Sequence, residues 1–253
     1  MSKKNKLDQY YTQPEIATEC LNILIEFLGS KDYDFVEPSA GTGNFLRPDF
    51  KWEAYDLDPK VSNIIRKDFL TVENLTGKVV VGNPPFGFAS SIALKFINHS
   101  FEEGAEVVAF ILPKTFKKAL FREKVTHQAS LALQKDLPKN SFILNGDDYD
   151  VPCVFQVWVK SPRAVINYNK YLTKGSEKDY DFMLRRVGGR AGRLITKEEF
   201  TKSSSLYVKG DKTYIEKYQD QIKEEASFTA GVRSITIDEI NYIITKGELD
   251  CQI

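Results

Sequence analysis

Histidine and cysteine are scarce in this chain. Of 253 residues, two are histidine (His99 and His127) and three are cysteine (Cys20, Cys153 and Cys251). The cysteines are scattered, without the paired spacing of a zinc site or a disulfide framework. No metal centre is expected, and the cysteine usage fits a reducing compartment. Long apolar runs are missing as well, since no stretch approaches the roughly 20 residues that span a bilayer. The opening residues, MSKKNKLDQYYT, are polar and carry no apolar core of a secretory signal. A cytoplasmic location and no membrane partner are therefore expected. An excess of charge of one sign is also absent, because 35 Lys and Arg balance 35 Asp and Glu. That removes global basicity as an indicator of nucleic-acid binding and moves the question to local clusters, where phosphate contacts are made.

The composition that remains, 42% hydrophobic and 28% charged, is that of a soluble globular protein. The length suits one domain with a modest appendage. Short apolar runs at Asp34–Glu37, Trp52–Leu57, Lys78–Val81 and Glu106–Leu112 read as strands. Between them, Glu15–Leu28 and Ser90–Ser100 place apolar residues at helical spacing. Cys153–Lys160 alternates as a late strand would. This alternation predicts an α/β fold with a seven-stranded, mostly parallel sheet, flanking helices and one antiparallel strand brought in by the last hairpin. From about residue 161 the apolar runs shorten, and Lys, Arg, Gly, Ser and Tyr become frequent. The expected division is residues 1–162 as the principal domain and 163–253 as a C-terminal extension, with a polar helix over Glu216–Glu225.

Four loops stand out. After the first strand comes Glu37-Pro38-Ser39-Ala40-Gly41-Thr42-Gly43-Asn44-Phe45, whose two glycines let the backbone turn sharply and approach a ligand. The third glycine of a dinucleotide fingerprint is missing, because position 46 is Leu. The second strand ends in Asp56-Leu57, an acid placed to accept ribose hydroxyls beside an apolar face. About ten residues later, Asp68-Phe69 pairs an acceptor with a ring. Asn83-Pro84-Pro85-Phe86 then follows the Val79-Val80-Val81 run. Two prolines fix that backbone and supply no N–H. The result is an amide acceptor, a rigid carbonyl and an aromatic ring within four residues. Each of the first three loops also reads as an ordinary turn when taken alone.

Together, and in this order, they resemble the amino-group methyltransferases of nucleic acids. The resemblance spans roughly residues 8 to 160. It includes Asp8-Gln9-Tyr10-Tyr11-Thr12-Gln13-Pro14 before the fold and Val151-Pro152-Cys153-Val154-Phe155-Gln156 in the late strand, both similar to segments of bacterial and phage adenine methyltransferases. It implies a Rossmann-like class I methyltransferase fold, S-adenosylmethionine as cofactor and the N6 amine of adenine as target. Tyr11, Thr12, Glu37, Pro38, Ala40, Gly41, Gly43, Asn44 and Phe45 would surround the methionine end. Asp56 would hold the ribose, Leu57 would pack on the adenine, and Asp68 and Phe69 would read that adenine. Asn83, Pro84, Pro85 and Phe86 would hold the target base. DNA is the expected substrate, with RNA as the alternative. Phe86, where Tyr is commoner, shifts the balance slightly toward RNA. A viral enzyme would act in the host cytoplasm.

Two basic clusters are candidates for phosphate contact. One is Lys114, Lys117 and Lys118, with Arg122 and Lys124. The other lies within residues 160–193, where nine basic side chains face three acidic ones, and contains Arg185, Arg186, Arg190 and Arg193. Its glycines suggest an arm that orders on binding. Alternative readings are a protein glutamine methyltransferase, a non-catalytic subunit of the same fold, and a Rossmann oxidoreductase. An unidentified protein partner also fits the sequence.

Overall fold

The structure is a computed structural model that describes residues 10–165 and 167–250; Asp8, Gln9 and Cys251 lie outside them. The described chain forms two compact units, one of residues up to 113 with 124–164 and the other of 114–123 with 165 onward.

The first unit opens with strand β1 (Tyr11–Thr12) and helix α1 (Pro14–Leu28). Pro14 begins the helix, where its missing N–H costs nothing. Gly29 ends it in the left-handed conformation (φ 67°), its N–H donating to the Ile25 carbonyl at 2.9 Å. Ala17, Cys20, Leu21 and Leu24 form the buried stripe of α1. The strands that follow are β2 (Asp34–Glu37), β3 (Lys51–Asp56), β4 (Ile65–Arg66), β5 (Val79–Gly82), β6 (Val107–Pro113), β7 (Ala129–Asp136), β8 (Phe142–Leu144), β9 (Asp147–Tyr149) and β10 (Cys153–Lys160); helix α2 (Ser91–Glu102) lies between β5 and β6.

Seven of these strands form one sheet in the order β4-β3-β2-β5-β6-β10-β7. β4-β3-β2-β5-β6 pair in parallel, and β10 enters antiparallel between β6 and β7. This is the doubly wound, Rossmann-like arrangement that the alternating pattern predicts. Val79, Val80, Val81 and residues 108–112 are fully buried, as strands covered on both faces must be. The chain runs outward from β2 through β3 to β4 on one side and through β5 to β6 on the other. The switch point therefore lies at the carboxyl ends of β2 and β5, where open α/β sheets leave a crevice. A small sheet, β1-β8-β9, ties the opening segment to the β8–β9 hairpin, and Gln13 Nε2 adds a bond to Asp148 at 2.7 Å. Cys20 and Cys153 are buried, and burial pushes both thiols well above their usual range.

The second unit has its own core, built on Leu172, Leu184, Val208, Ile215, Ile222, Ile240 and Ile244. Helix α3 (Ala119–Arg122) belongs to it. So does an antiparallel sheet of β11 (Thr173–Lys174), β12 (Phe182–Arg185), β13 (Leu194–Ile195) and β14 (Ser205–Lys209), ordered β11-β14-β12-β13. Helices α4 (Thr213–Lys217), α5 (Gln219–Ser227) and α6 (Ile237–Asp250) complete it. Buried Asn241 fastens α6 to Leu172, the residue before β11. Its amide accepts the Leu172 N–H and donates to the Leu172 carbonyl, both at 2.9 Å.

Candidate active site

The switch point holds a cleft of about 430 Å³, a volume common for small-molecule sites. Four strand ends supply it. Glu37 closes β2 and leads into the Gly41-Thr42-Gly43 turn, Asp56 closes β3, Asp68 and Phe69 follow β4, and Asn83 follows β5.

The glycine turn is fixed from below. Gly43 N–H donates to the Ala40 carbonyl, and the Asp56 carboxylate accepts the N–H groups of Gly41 and Asp58, each at 2.7 Å. Each Asp56 oxygen keeps a lone pair for a further donor, as a pair of ribose hydroxyls would require. Gly41 has φ 52°, and a Cβ there would come within 3.0 Å of the Tyr11 ring. Only glycine lets the turn and Tyr11 approach so closely. Asn44 Nδ2 donates to the Thr12 carbonyl at 2.7 Å, joining the turn to β1.

Three buried polar atoms in this cleft have no hydrogen-bond partner: Thr12 Oγ1, Glu37 Oε2 and Asn83 Oδ1. Among the described residues there is one other, His127 Nδ1, elsewhere. Buried orphans are rare and costly, so their concentration marks a place built to receive a polar ligand. Burial holds the Glu37 carboxyl well above the usual carboxylate range, and the nearby charge of Asp56 pushes it further up.

Asn83 is oriented by its partners. Its Nδ2 donates to the Tyr10 carbonyl at 2.9 Å. A carbonyl can only accept, so the amide nitrogen must face it and Oδ1 must turn away. The Asn83 backbone carbonyl in turn accepts the Ser39 hydroxyl at 2.9 Å. The Phe86 carbonyl receives the Ile92 and Ala93 N–H groups at the start of α2, which anchors the far end of the tetrapeptide. The Phe86 ring stacks with Tyr10 (centroids 6.4 Å apart), and Tyr10 stacks in turn with Tyr149 at 5.3 Å.

Tyr11, Thr12, Glu37, Pro38, Ala40, Gly41, Asn44, Phe45, Asp56, Leu57, Asp68, Phe69, Asn83, Pro84, Pro85 and Phe86 all line this one cleft. Gly43 does not; it makes the turn behind it. Phe45 and Phe69 are almost wholly buried, Phe69 against Phe96 at 5.1 Å, so each offers a wall more than an open stacking face. One Asp68 oxygen accepts the Leu70 N–H at 3.0 Å and caps its own turn. The sequence reading gave no role to Tyr10, Ile92, Lys95 or Phe96, which also line the cleft. The signal for the last three is the helical spacing that starts directly after the tetrapeptide.

Lys114, Lys117, Lys118, Arg185, Arg186, Arg190 and Arg193 belong to the second unit, and several are spent inside it. Lys118 requires correction: it is 5% exposed, with its ammonium on Glu239 (2.9 Å) and the Ser234 carbonyl (2.8 Å), too enclosed to meet a phosphate. Lys117 lies over the Phe228 ring. Arg185 fastens a turn through the Glu199 carbonyl, Thr201 and Ser204, and Arg190 pairs with Glu199 at 2.8 Å. Arg186 donates to the Ser203 carbonyl at 3.2 Å, while Arg193 is exposed. The glycine-rich segment expected as an arm is folded here, held by bonds such as Gly192 N–H to the Arg185 carbonyl.

No family model matches the chain, and no curated protein does. Among solved structures, the chain is similar to a candidate RNA methyltransferase from Pyrococcus horikoshii (18% identity over 63% of this chain and 90% of that one, TM-score 0.48). It is also similar to a candidate class I S-adenosylmethionine-dependent methyltransferase from Listeria monocytogenes (15%, 64% of each chain, 0.47). A third is a modification subunit of a candidate type I restriction enzyme from Vibrio vulnificus (13%, 70% of this chain and 50% of that one, 0.46). The chain thus spans under two thirds of the Listeria protein and half of the Vibrio subunit.

Proposed function

We propose that this protein is an S-adenosylmethionine-dependent methyltransferase acting on the N6 amine of adenine in a nucleic acid, DNA ahead of RNA. The observation that carries the reading is the fixed amide of Asn83, with its orphaned buried oxygen beside two prolines and a stacked ring.

The cleft suits the cofactor by its polar complement. Glu37 Oε2 and Thr12 Oγ1 are unmatched partners for an amino acid's ammonium and carboxylate. Asp56 keeps acceptor capacity for ribose hydroxyls, and Leu57 and Phe69 bound the apolar part. When bound, S-adenosylmethionine supplies an electrophilic methyl group on a sulfonium.

The chain's own residues address the other half of the problem. The lone pair of an aromatic amine is delocalised into its ring and attacks poorly. Asn83 Oδ1 accepts one N–H and the Pro84 carbonyl the other, which favours a tetrahedral nitrogen and aims its lone pair. The Pro84-Pro85 backbone cannot swing, so both acceptors are placed before the base arrives. Phe86, braced by Tyr10, covers the base face. Asn83 and Pro84 provide acceptors and no strong base, so the surplus proton leaves to solvent after transfer. A base inside a duplex must first be flipped out.

The test offers duplex DNA, single-stranded DNA and RNA in parallel with labelled cofactor, followed by nucleoside mass spectrometry. N6-methyladenine in one class supports the reading and fixes the substrate. No transfer to any of the three, with the cofactor still bound, would contradict it.

A further inference from the structure

Phe88 is 90% exposed, the most exposed large apolar side chain among the described residues. It stands two residues beyond Phe86 and does not line the cleft. Water is a poor surrounding for a phenyl ring, and nothing local requires an aromatic there. The backbone nevertheless holds the ring out. Gly87 has φ 70°, and Ala89 (φ 49°) and Ser90 (φ 62°) are both left-handed, a conformation non-glycine residues adopt at a cost. Two such residues in succession, directly after a catalytic-type loop, are strain of the kind that functional sites retain. The loop is anchored on both sides, at the Phe86 carbonyl by the first turn of α2 and at the Gly87 carbonyl by the Ser90 N–H.

The charge of the surroundings says what reaches it. Lys67 and Lys95 are exposed on the rim of the cleft, and neither is in an ion pair among the described residues. Lys95 lies one helical turn beyond Ile92 on α2, the helix that starts at this loop. By contrast, the β8–β9 hairpin carries Asp147, Asp148 and Asp150, which repel phosphates. An exposed apolar ring on the turn that leads into the helix carrying Lys95 suits one partner, a strand of nucleic acid with its bases unstacked.

We infer that Phe88 is a stacking platform for the nucleotide next to the target base, with Lys95 on the adjoining phosphate. The inference rests on the proposed nucleic-acid reading and adds a second contact that keeps the strand open while one base occupies the cleft. Phe88 is a positioning residue and touches no reacting atom.

The experiment uses a single-stranded oligonucleotide with one target adenine. Phe88→Ala raises its KM by about tenfold, the scale of one lost base stack, with kcat and cofactor affinity unchanged, and Phe88→Trp restores it. An abasic unit placed on either side of the target in turn raises the wild-type KM by a similar factor on one side, and leaves Phe88→Ala no worse. In a binding titration that does not depend on transfer, 2-aminopurine at that flanking place is quenched by the wild-type protein and not by Phe88→Ala. Quenching without methyl transfer would defeat the catalytic reading and leave the platform standing. Methyl transfer with KM and quenching unmoved by Phe88→Ala would overturn the platform and leave the catalytic reading standing. Abasic and Phe88→Ala effects that add in full would also overturn it.

Discussion

At the scale of single residues, the site is defined by polar atoms whose partners are missing. Glu37 is the most consequential of them. Its carboxyl is 2% exposed and, without a ligand, favours the neutral form. A ligand ammonium placed against it reverses that preference, so binding releases a proton. Cofactor affinity therefore increases with pH over the range in which Glu37 is protonated without the ligand and ionised with it, and levels off once the ligand-free carboxyl also ionises. Glu37→Gln flattens the profile and weakens binding throughout. Titration calorimetry in two buffers of different ionisation enthalpy reads the proton directly; zero proton exchange would show that Glu37 does not meet the ammonium.

Elements make these residues meet, and here the tight turns decide. Gly87 combines φ 70° with an extended ψ, and a Cβ there would lie 2.4 Å from Ile92 Cγ1. Gly87→Ala adds this clash to a left-handed backbone and must displace the Ile92 side chain at the start of α2. It costs roughly 1–3 kcal/mol of stability and lowers kcat/KM by more than thermal unfolding alone explains. Wild-type values of both would mean that the loop is looser than its geometry indicates.

β2 and β5 were legible in the sequence because they read as short apolar runs, buried along most of their length, and end in local motifs whose chemistry is visible in a few residues; β4, two exposed residues, was not. The edge strand Ala129–Asp136 was not legible, since Ala129 alone in it is buried and its alternation is weak. Nor was the sheet of the second unit, made of strands as short as two residues. Helix α6 did carry a signal, a capping box in which Thr236 and Glu239 bond each other's backbone N–H at 3.2 and 2.8 Å. The roles of Tyr10 and Lys118 are set by partners more than 70 and 110 residues away in the chain, which no local pattern reveals.

At the scale of the whole molecule, a formal net charge of zero leaves binding to local fields and stability to two separate cores. The second core encloses an acid. Glu225 is 7% exposed, and burial, aided by Glu239, raises its pKa from 4.5 to about 7, although the Ala119 N–H and Lys118 oppose the shift. A pKa raised on folding means that the native state prefers the proton. The stabilisation is complete below about pH 4.5 and is lost as pH rises through about 7. Glu225→Gln keeps an acceptor for the Ala119 N–H and removes the charge. Between about pH 5 and pH 8 the wild-type protein should lose on the order of 3 kcal/mol relative to this variant in urea unfolding. Parallel pH profiles would show that Glu225 stays solvated.

The proposed role of Asn83 is to prepare an exocyclic amine for attack. It is tested most directly by single-turnover methyl transfer to an adenine-containing oligonucleotide, comparing the wild-type protein with Asn83→Ala while cofactor affinity is measured alongside. The expected rate is at least about 100-fold lower in the variant, the usual scale for losing one preorganised polar contact in a transition state, with cofactor affinity unchanged. Transfer at the wild-type rate without the Asn83 amide would contradict it.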